Sequence, residues 1–212
     1  MENSIDRAGP RARAQVVCAV WVCLVALAQA GCAGGSAATV PDAPVGPLSA
    51  AEYYPLQTGW KWSYDIEKDG QHILAFYAVI ERAGDSATVQ AGDDRLTYTV
   101  TPLGIAHKED GLVGDFLIKD PLTAGAAWTL AQGKAQVLSV GQQVTVLAGT
   151  FKNCVVVEET RSEPMRIVRT TFAPGVGPIS VEIEVQDGVR FVTTTKAILR
   201  GVTKPGQDPL AM

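Results

Sequence analysis

From Tyr53 onward the chain is dominated by short apolar and β-branched runs separated by turn residues. The run 60–66 alternates large apolar with polar side chains, and 181–185 alternates valine and isoleucine with glutamate. A period of two is typical of strands with one face in a core and the other in solvent. Glycine-containing turns such as 68–70 and 186–188 end these runs, and Asp-Gly between two runs is a strong hairpin signal. The pattern predicts strands joined by tight turns.

Roughly ten strands are predicted, and no useful stretch of helical periodicity follows residue 50. Connections of a few residues force antiparallel neighbours, because a parallel crossover needs a dozen residues or more. We therefore expect an all-β domain over 51–201, an antiparallel meander that forms a curled sheet, half-barrel, barrel or sandwich. Residues 202–212 are expected to be a loose tail. The predicted strands are 60–66, 72–81, 86–91, 95–101, 105–108, 112–118, 135–147, 153–161, 165–172, 179–185 and 189–199.

The first 31 residues have the pattern of a secretory signal peptide. Arg7, Arg11 and Arg13 precede an uncharged apolar run at 16–28, and small residues follow it. At about 1.5 Å per residue this run spans about 20 Å, short of the roughly 30 Å hydrocarbon core of a bilayer. A cleaved signal is therefore favoured over a permanent transmembrane helix, and we expect residues 1–31 to be removed.

Cys32 is the candidate site of lipid attachment. The tripeptide 30–32 resembles the end of a bacterial lipobox, although Gln29 stands where an aliphatic residue is usual. A stretch rich in Gly, Ala, Ser and Pro follows, so 32–50 is predicted to be a lipidated cysteine and its flexible tether to the bilayer. The alternative is cleavage after Ala-Gln-Ala, which would release a soluble periplasmic protein. By resemblance to lipoprotein sorting signals, Ala33 indicates the outer membrane of a Gram-negative cell.

The charge distribution and the cysteine content limit which partners and which disulfides are expected. The 18 basic side chains are scattered among 22 acidic ones, so no cluster suited to phosphates exists and no nucleic-acid partner is expected. Two of the four cysteines lie in the apolar N-terminal run. With Cys32 lipidated, only Cys154 stays in the domain, where it cannot form an internal disulfide. Its strand-like surroundings predict a buried free thiol.

Three segments resemble an uncharacterised group of bacterial envelope lipoproteins with β-rich domains. Residues 53–64 (YYPLQTGWKWSY) are similar to the opening "YPLxxGxxWxY" of that group. Residues 148–154 (AGTFKNC) resemble its "GTFxxC" turn, and 172–179 (FAPGVGPI) resemble its "APGVG" hairpin, with Pro-Ile in place of Leu-Val. The resemblance implies an envelope lipoprotein with an antiparallel sheet, and it implies no catalytic residues.

The sequence contains no recognised catalytic motif, metal-ligand spacing or cofactor loop, so we expect no cofactor and no metal. His72 and His107 are far apart and lack partner ligands. Glu158 and Glu159 are neighbours in one strand and should point to opposite faces. A hydrolase would need scattered carboxylates to converge in one cleft with perturbed pKa values. The candidate carboxylates are Asp65, Asp115, Asp120 and Glu182.

Trp60, Trp62 and Tyr64 occupy alternate positions and share one strand face. Two interpretations stay open for this aromatic stripe: part of the core, or the lining of an apolar ligand groove. The sequence as a whole predicts a membrane-tethered, non-enzymatic binding or interaction domain, whose partner is a hydrophobic ligand or an envelope protein. The alternatives are a carboxylate hydrolase and a soluble periplasmic protein. A solid core without an apolar cavity would exclude a carrier of hydrophobic ligands.

Overall fold

The computed structural model describes residues 48–109 and 111–207, a short helix followed by strands. The predicted signal peptide, Cys32 and most of the tether lie outside these residues. No helix in the described part of the chain is long and apolar enough to cross a membrane. The elements are α1 (Ala50–Tyr53), β1 (Lys61–Lys68), β2 (Gln71–Ala83), β3 (Ser86–Ala91), β4 (Asp94–Thr101), β5 (Gly104–Glu109), β6 (Leu112–Lys119), β7 (Ala127–Leu130), β8 (Gly133–Val146), β9 (Gly149–Ser162), β10 (Met165–Ala173), β11 (Gly177–Asp187) and β12 (Arg190–Thr203).

All the strands belong to one antiparallel sheet made of two consecutive meanders. The order is β6-β5-β4-β3-β2-β1-β12-β11-β10-β9-β8-β7, so every pair is consecutive in the chain except β1 with β12. That pair joins the meanders and runs from Lys61 opposite Thr203 to Lys68 opposite Thr195. The predicted all-β antiparallel fold is confirmed, and the curled sheet is a nearly closed barrel.

The two free edges of the sheet, β6 and β7, are joined by side chains. Trp128 on β7 donates a hydrogen bond from Nε1 to the carbonyl oxygen of Phe116 on β6 at 3.0 Å. Asp115 on β6 accepts one from the backbone N–H of Ala131, just after β7, at 2.7 Å. An edge strand with unpaired backbone groups invites pairing with another chain. These bonds hold the two edges together along a seam.

The segment 48–60 closes one end of the barrel, and we call it the plug. Its buried side chains pack in the same core as those of the strands. The carboxylate of Asp120, just after β6, accepts a hydrogen bond from the backbone N–H of Ala50 at 3.1 Å. The carbonyl oxygen of Glu52 accepts one from Gly175, between β10 and β11, at 2.8 Å. The plug therefore ties the first meander to the second.

The main differences from the sequence-based prediction are one missed strand and the end of the domain. β7 was not among the predicted strands, because its four residues are too few for a period of two to stand out. β12 continues to Thr203, past the predicted end of the domain at 201, since Val202 and Thr203 pair with Trp62 and Lys61 of β1. The predicted loose tail therefore begins with strand residues.

Cys154 is fully buried and free, as predicted. Burial raises the pKa of its thiol, which lowers the fraction of reactive thiolate. We expect iodoacetamide at neutral pH to alkylate Cys154 at least about tenfold more slowly in the native Cys32→Ser chain than in the same chain in urea. Peptide mapping by mass spectrometry measures the two rates. Equal rates would contradict the burial.

Candidate functional site

A cavity of about 360 Å³, partly open to solvent, lies between the two meanders. Side chains from β1, β2, β4, β5 and β6 line one side, and side chains from β9 to β12 line the other. Small-molecule sites in proteins occupy about 300–1,000 Å³, so this cavity is at the small end of that range. The barrel therefore contains a partly open space that a compact ligand could fill.

The apolar part of the cavity is built from aromatic rings around Tyr54 of the plug. The ring of Tyr54 lies edge-on to Trp62 at 5.7 Å and to Tyr98 at 6.0 Å between centroids, and Phe172 lies 6.2 Å away. Such edge-on contacts are favourable for aromatic pairs. Burial raises the pKa of Tyr54 well above its usual value and raises that of Tyr98 to about 12. These phenols are therefore neutral at physiological pH.

Two aromatic side chains of β1 are fixed by hydrogen bonds to the turn before β11 and to the start of β11. Trp62 Nε1 donates to the carbonyl oxygen of Val176 at 2.7 Å, and the hydroxyl of Tyr64 donates to that of Pro178 at 2.8 Å. Gly177 between them has φ of 105°, and a Cβ there would lie 2.9 Å from Cδ2 of Tyr54. Only glycine fits this close approach at a positive φ.

The three segments that carry the sequence resemblance meet at this end of the barrel. The first segment reaches the third through Trp62 and Val176, and it reaches the second through Tyr53. The hydroxyl of Tyr53 donates to the carbonyl oxygen of Asn153 at 2.7 Å. These three segments of the chain therefore supply contacts that seat the plug and form the aromatic wall.

The structure places Trp60, Trp62 and Tyr64 together on the inner face, and all three are buried. Trp62 and Tyr64 line the cavity. Trp60 stacks on Trp62 with 5.8 Å between ring centroids and is not among the lining residues. Trp62 and Tyr64 therefore belong both to the core and to the cavity wall, whereas Trp60 belongs to the core alone. Contact of these rings with a ligand stays a prediction.

The polar part of the cavity is built around Arg161 on β9. Its Nη1 lies 3.0 Å from Oδ2 of Asp115 on β6, and its Nη2 lies 2.8 Å from Oε2 of Glu159. Burial opposes the charge of Arg161, but the hydrogen bonds and charges of Glu159 and Asp115 outweigh it and raise the arginine pKa. Asp115 also holds the seam, so this network joins the cavity wall to the barrel closure.

Arg166 on β10 is the second cation of the cavity lining. It lies directly opposite Arg161 on one neighbouring strand and opposite Val185 on the other. Its Nε is buried without a hydrogen-bond partner, and no ion pair forms at its guanidinium within residues 48–109 and 111–207. A buried donor without an acceptor is costly and uncommon in proteins.

Glu159, Arg161 and Arg166 were not among the site residues predicted from the sequence, although the pattern of β9 contains part of the signal. Val155 and Val157 are buried in β9, so a period of two puts Glu159 and Arg161 on the same inner face. Two charged residues on the core face of a strand are rare unless paired. The partnerless state of Arg166, in contrast, depends on three strands meeting in register.

The candidate carboxylates of a hydrolase do not converge. None of them lines the cavity, and each bonds to a different partner. Asp65 pairs with His72, Asp115 with Arg161, Asp120 with the N–H of Ala50, and Glu182 with Thr193. Glu158 pairs with Arg169 while Glu159 bonds to Arg161, and they lie on opposite faces as expected. Among the described residues, no three His, Cys, Asp or Glu side chains are grouped to hold a metal ion.

The two histidines are separated by the sheet. His107 lines the cavity, where its ring lies 5.2 Å from that of Tyr98. His72 lies on β2 and is exposed, with Nδ1 3.1 Å from Oδ1 of Asp65. They therefore cannot act as a pair.

We expect His72 to titrate above its ordinary pKa of 6.5, because the hydrogen bond and the charge of Asp65 favour the protonated ring. A raised folded-state pKa means that the pair stabilises the fold below the unfolded value and loses this contribution as pH rises through the folded one. NMR titration should show a lower pKa for His72 in Asp65→Asn. An unchanged His72 pKa in this variant would contradict the pairing.

Comparison with known proteins gives limited similarity. No protein-family model and no curated protein sequence matches the chain. A Bacteroides fragilis protein described as exported, with a YmcC-like fold, is 12% identical, covers 71% of this chain and 98% of its own, and has a TM-score of 0.42. A protein from Parabacteroides distasonis described as a lipoprotein is 10% identical, covers 71% and 98%, and has a TM-score of 0.40.

The hypothetical lipoprotein YmcC of Escherichia coli is 11% identical over 76% of this chain and 91% of its own, with a TM-score of 0.34. Similarity at these levels carries no argument about activity.

Proposed function

We propose that this chain is an exported protein, anchored in the bacterial outer membrane by a lipid on Cys32, and that its β-domain binds a hydrophobic ligand. The observation that carries the binding proposal is the aromatic-lined cavity of about 360 Å³. The signal-like N-terminus and the cysteine after it support the anchor. Several acyl chains would provide stable attachment, at about 0.8 kcal/mol per buried CH₂.

The cavity lining favours a ligand site over a purely structural core. Closely packed interiors leave few spaces larger than a water molecule, whereas this one is several times larger. Its walls combine aromatic rings with a few polar groups, which is the usual composition of small-molecule sites. The proposed role is non-enzymatic, and one observation supports this: among the described residues, the acidic side chain that lines the cavity, Glu159, is bonded to Arg161.

A cavity-filling variant tests the binding proposal. Ala197 on β12 lines the cavity beside its strand partner Ile66 on β1. Ala197→Phe should therefore fill part of the space and weaken binding of a dodecyl-chain probe at least tenfold, about 1.4 kcal/mol. The matched control is Ala78→Phe, because Ala78 lies between the inward residues Tyr77 and Val79 and points outward. Isothermal titration calorimetry measures both. Equal affinities in the two variants would contradict the site.

Mass spectrometry of the mature N-terminus tests the anchor. We expect a diacyl or triacyl modification on Cys32, with loss of the lipid and of membrane association in Cys32→Ser. An unmodified chain that starts at Gly31 would overturn the anchor and leave the binding proposal intact.

A further inference from the structure

We infer that the cavity selects single-chain amphiphiles with an anionic oxyacid head, carboxylate or phosphate, and that Arg166 binds this head. This inference rests on the proposed binding function and specifies its ligand class. The small volume favours one acyl chain, since the cavity is near the lower limit for small-molecule sites. The aromatic rings would contact the chain, and the arginine would contact the head.

The hydrogen bonds of the cavity leave Arg166 as the group that needs an acceptor. Arg161 donates from Nη1 to Asp115 and from Nε and Nη2 to Glu159, so both acids already have a cationic partner. Arg166 has no such partner within the described residues, and its buried Nε has no acceptor. Guanidinium binds carboxylate and phosphate through paired N–H donors, so either group would supply the acceptor that Arg166 lacks.

Strand register places the two guanidinium groups of the lining side by side. Arg166 and Arg161 are directly opposed on adjacent strands and both line the cavity. The charge of Arg161 is already balanced by Glu159 and Asp115, so Arg166 is the guanidinium whose donors are open to a ligand head. Val168 and Ile183 continue the lining beyond the arginines as apolar wall, which gives the site one charged region and one apolar region.

The test compares probes with the same dodecyl chain and different heads. Isothermal titration calorimetry on the full-length Cys32→Ser chain would use dodecanoate, dodecyl phosphate, dodecanol and dodecylamine below their micelle-forming concentrations. We expect the two anionic probes to bind at least tenfold more tightly than dodecanol, and dodecylamine to bind most weakly. The relative affinity of dodecanoate and dodecyl phosphate identifies which oxyacid the site prefers.

Arg166→Leu should reduce the affinity for dodecanoate at least tenfold and leave the affinity for dodecanol within about twofold. The control is Arg200→Leu, since Arg200 is exposed on β12 and does not line the cavity. Arg166→Lys should restore part of the anion preference, because the charge returns without the paired donors. Arg166→Leu removes a partnerless buried donor, so urea unfolding should show no loss of stability.

Different results would contradict the binding of a hydrophobic ligand and the assignment of Arg166 to its head. Equal binding of dodecanoate and dodecanol by the unsubstituted site, or an unchanged preference in Arg166→Leu, would overturn the assignment of Arg166 and leave hydrophobic binding standing. Absence of binding for all four probes would overturn both.

Discussion

Replacing Trp62 with alanine should destabilise the protein by about 4 kcal/mol, a large part of the roughly 5–15 kcal/mol that stabilises a typical domain. Trp62 is 2% exposed and is among the largest fully buried side chains. It contacts Tyr54 and Trp60 and donates to the carbonyl oxygen of Val176. The substitution therefore leaves a cavity and an unpaired carbonyl group at once. Urea unfolding followed by circular dichroism measures the loss.

Two companion variants separate these contributions. Trp62→Phe keeps an aromatic ring but removes the donor to Val176, and we expect it to cost about 1–2 kcal/mol. Phe76→Ala is the surface control: Phe76 is 62% exposed on β2, and its truncation should change stability by about 0.5 kcal/mol or less. A loss in Trp62→Ala no larger than in Phe76→Ala would show that Trp62 does not hold the aromatic wall.

Replacing Arg161 with methionine should cost about 3 kcal/mol at neutral pH, because it leaves buried acids without their cation. Glu159 is 7% exposed, and Asp115 bonds to Arg161 and to the backbone of Ala131 at the seam. Urea unfolding at neutral pH, followed by circular dichroism, measures this loss.

The double variant Glu159→Gln/Arg161→Met tests this explanation. Removing the uncompensated charge should recover part of the lost stability. The matched control is Arg169→Met on the outer face of β10, where Arg169 pairs with Glu158 and Glu184 but is 34% exposed. Solvent-exposed pairs contribute about 1 kcal/mol or less. Similar losses for Arg161→Met and Arg169→Met would contradict a special role for the buried network.

The fold class follows from local pattern, and so it could be predicted. The alternation of apolar and polar residues in β1 and β11 indicates one buried face and one face in solvent. The Gly-containing turns are too short for parallel connections. β7 was not predicted, because a segment of four residues forms a recognisable strand only through its pairing with β8. The end of β12 was placed too early because its last residues pair with β1, about 140 positions earlier in the chain.

The sequence by itself determined which residues of β1 and β9 share the inner face, because side chains alternate along any strand. Only the tertiary structure decided that the first strand pairs with the last and that the resulting barrel keeps a cavity. It also decided that Arg161 finds both acids while Arg166, directly opposite, finds none. The physical reason is that local alternation fixes the face of a side chain. Its partners are fixed by long-range strand register and by curvature of the sheet.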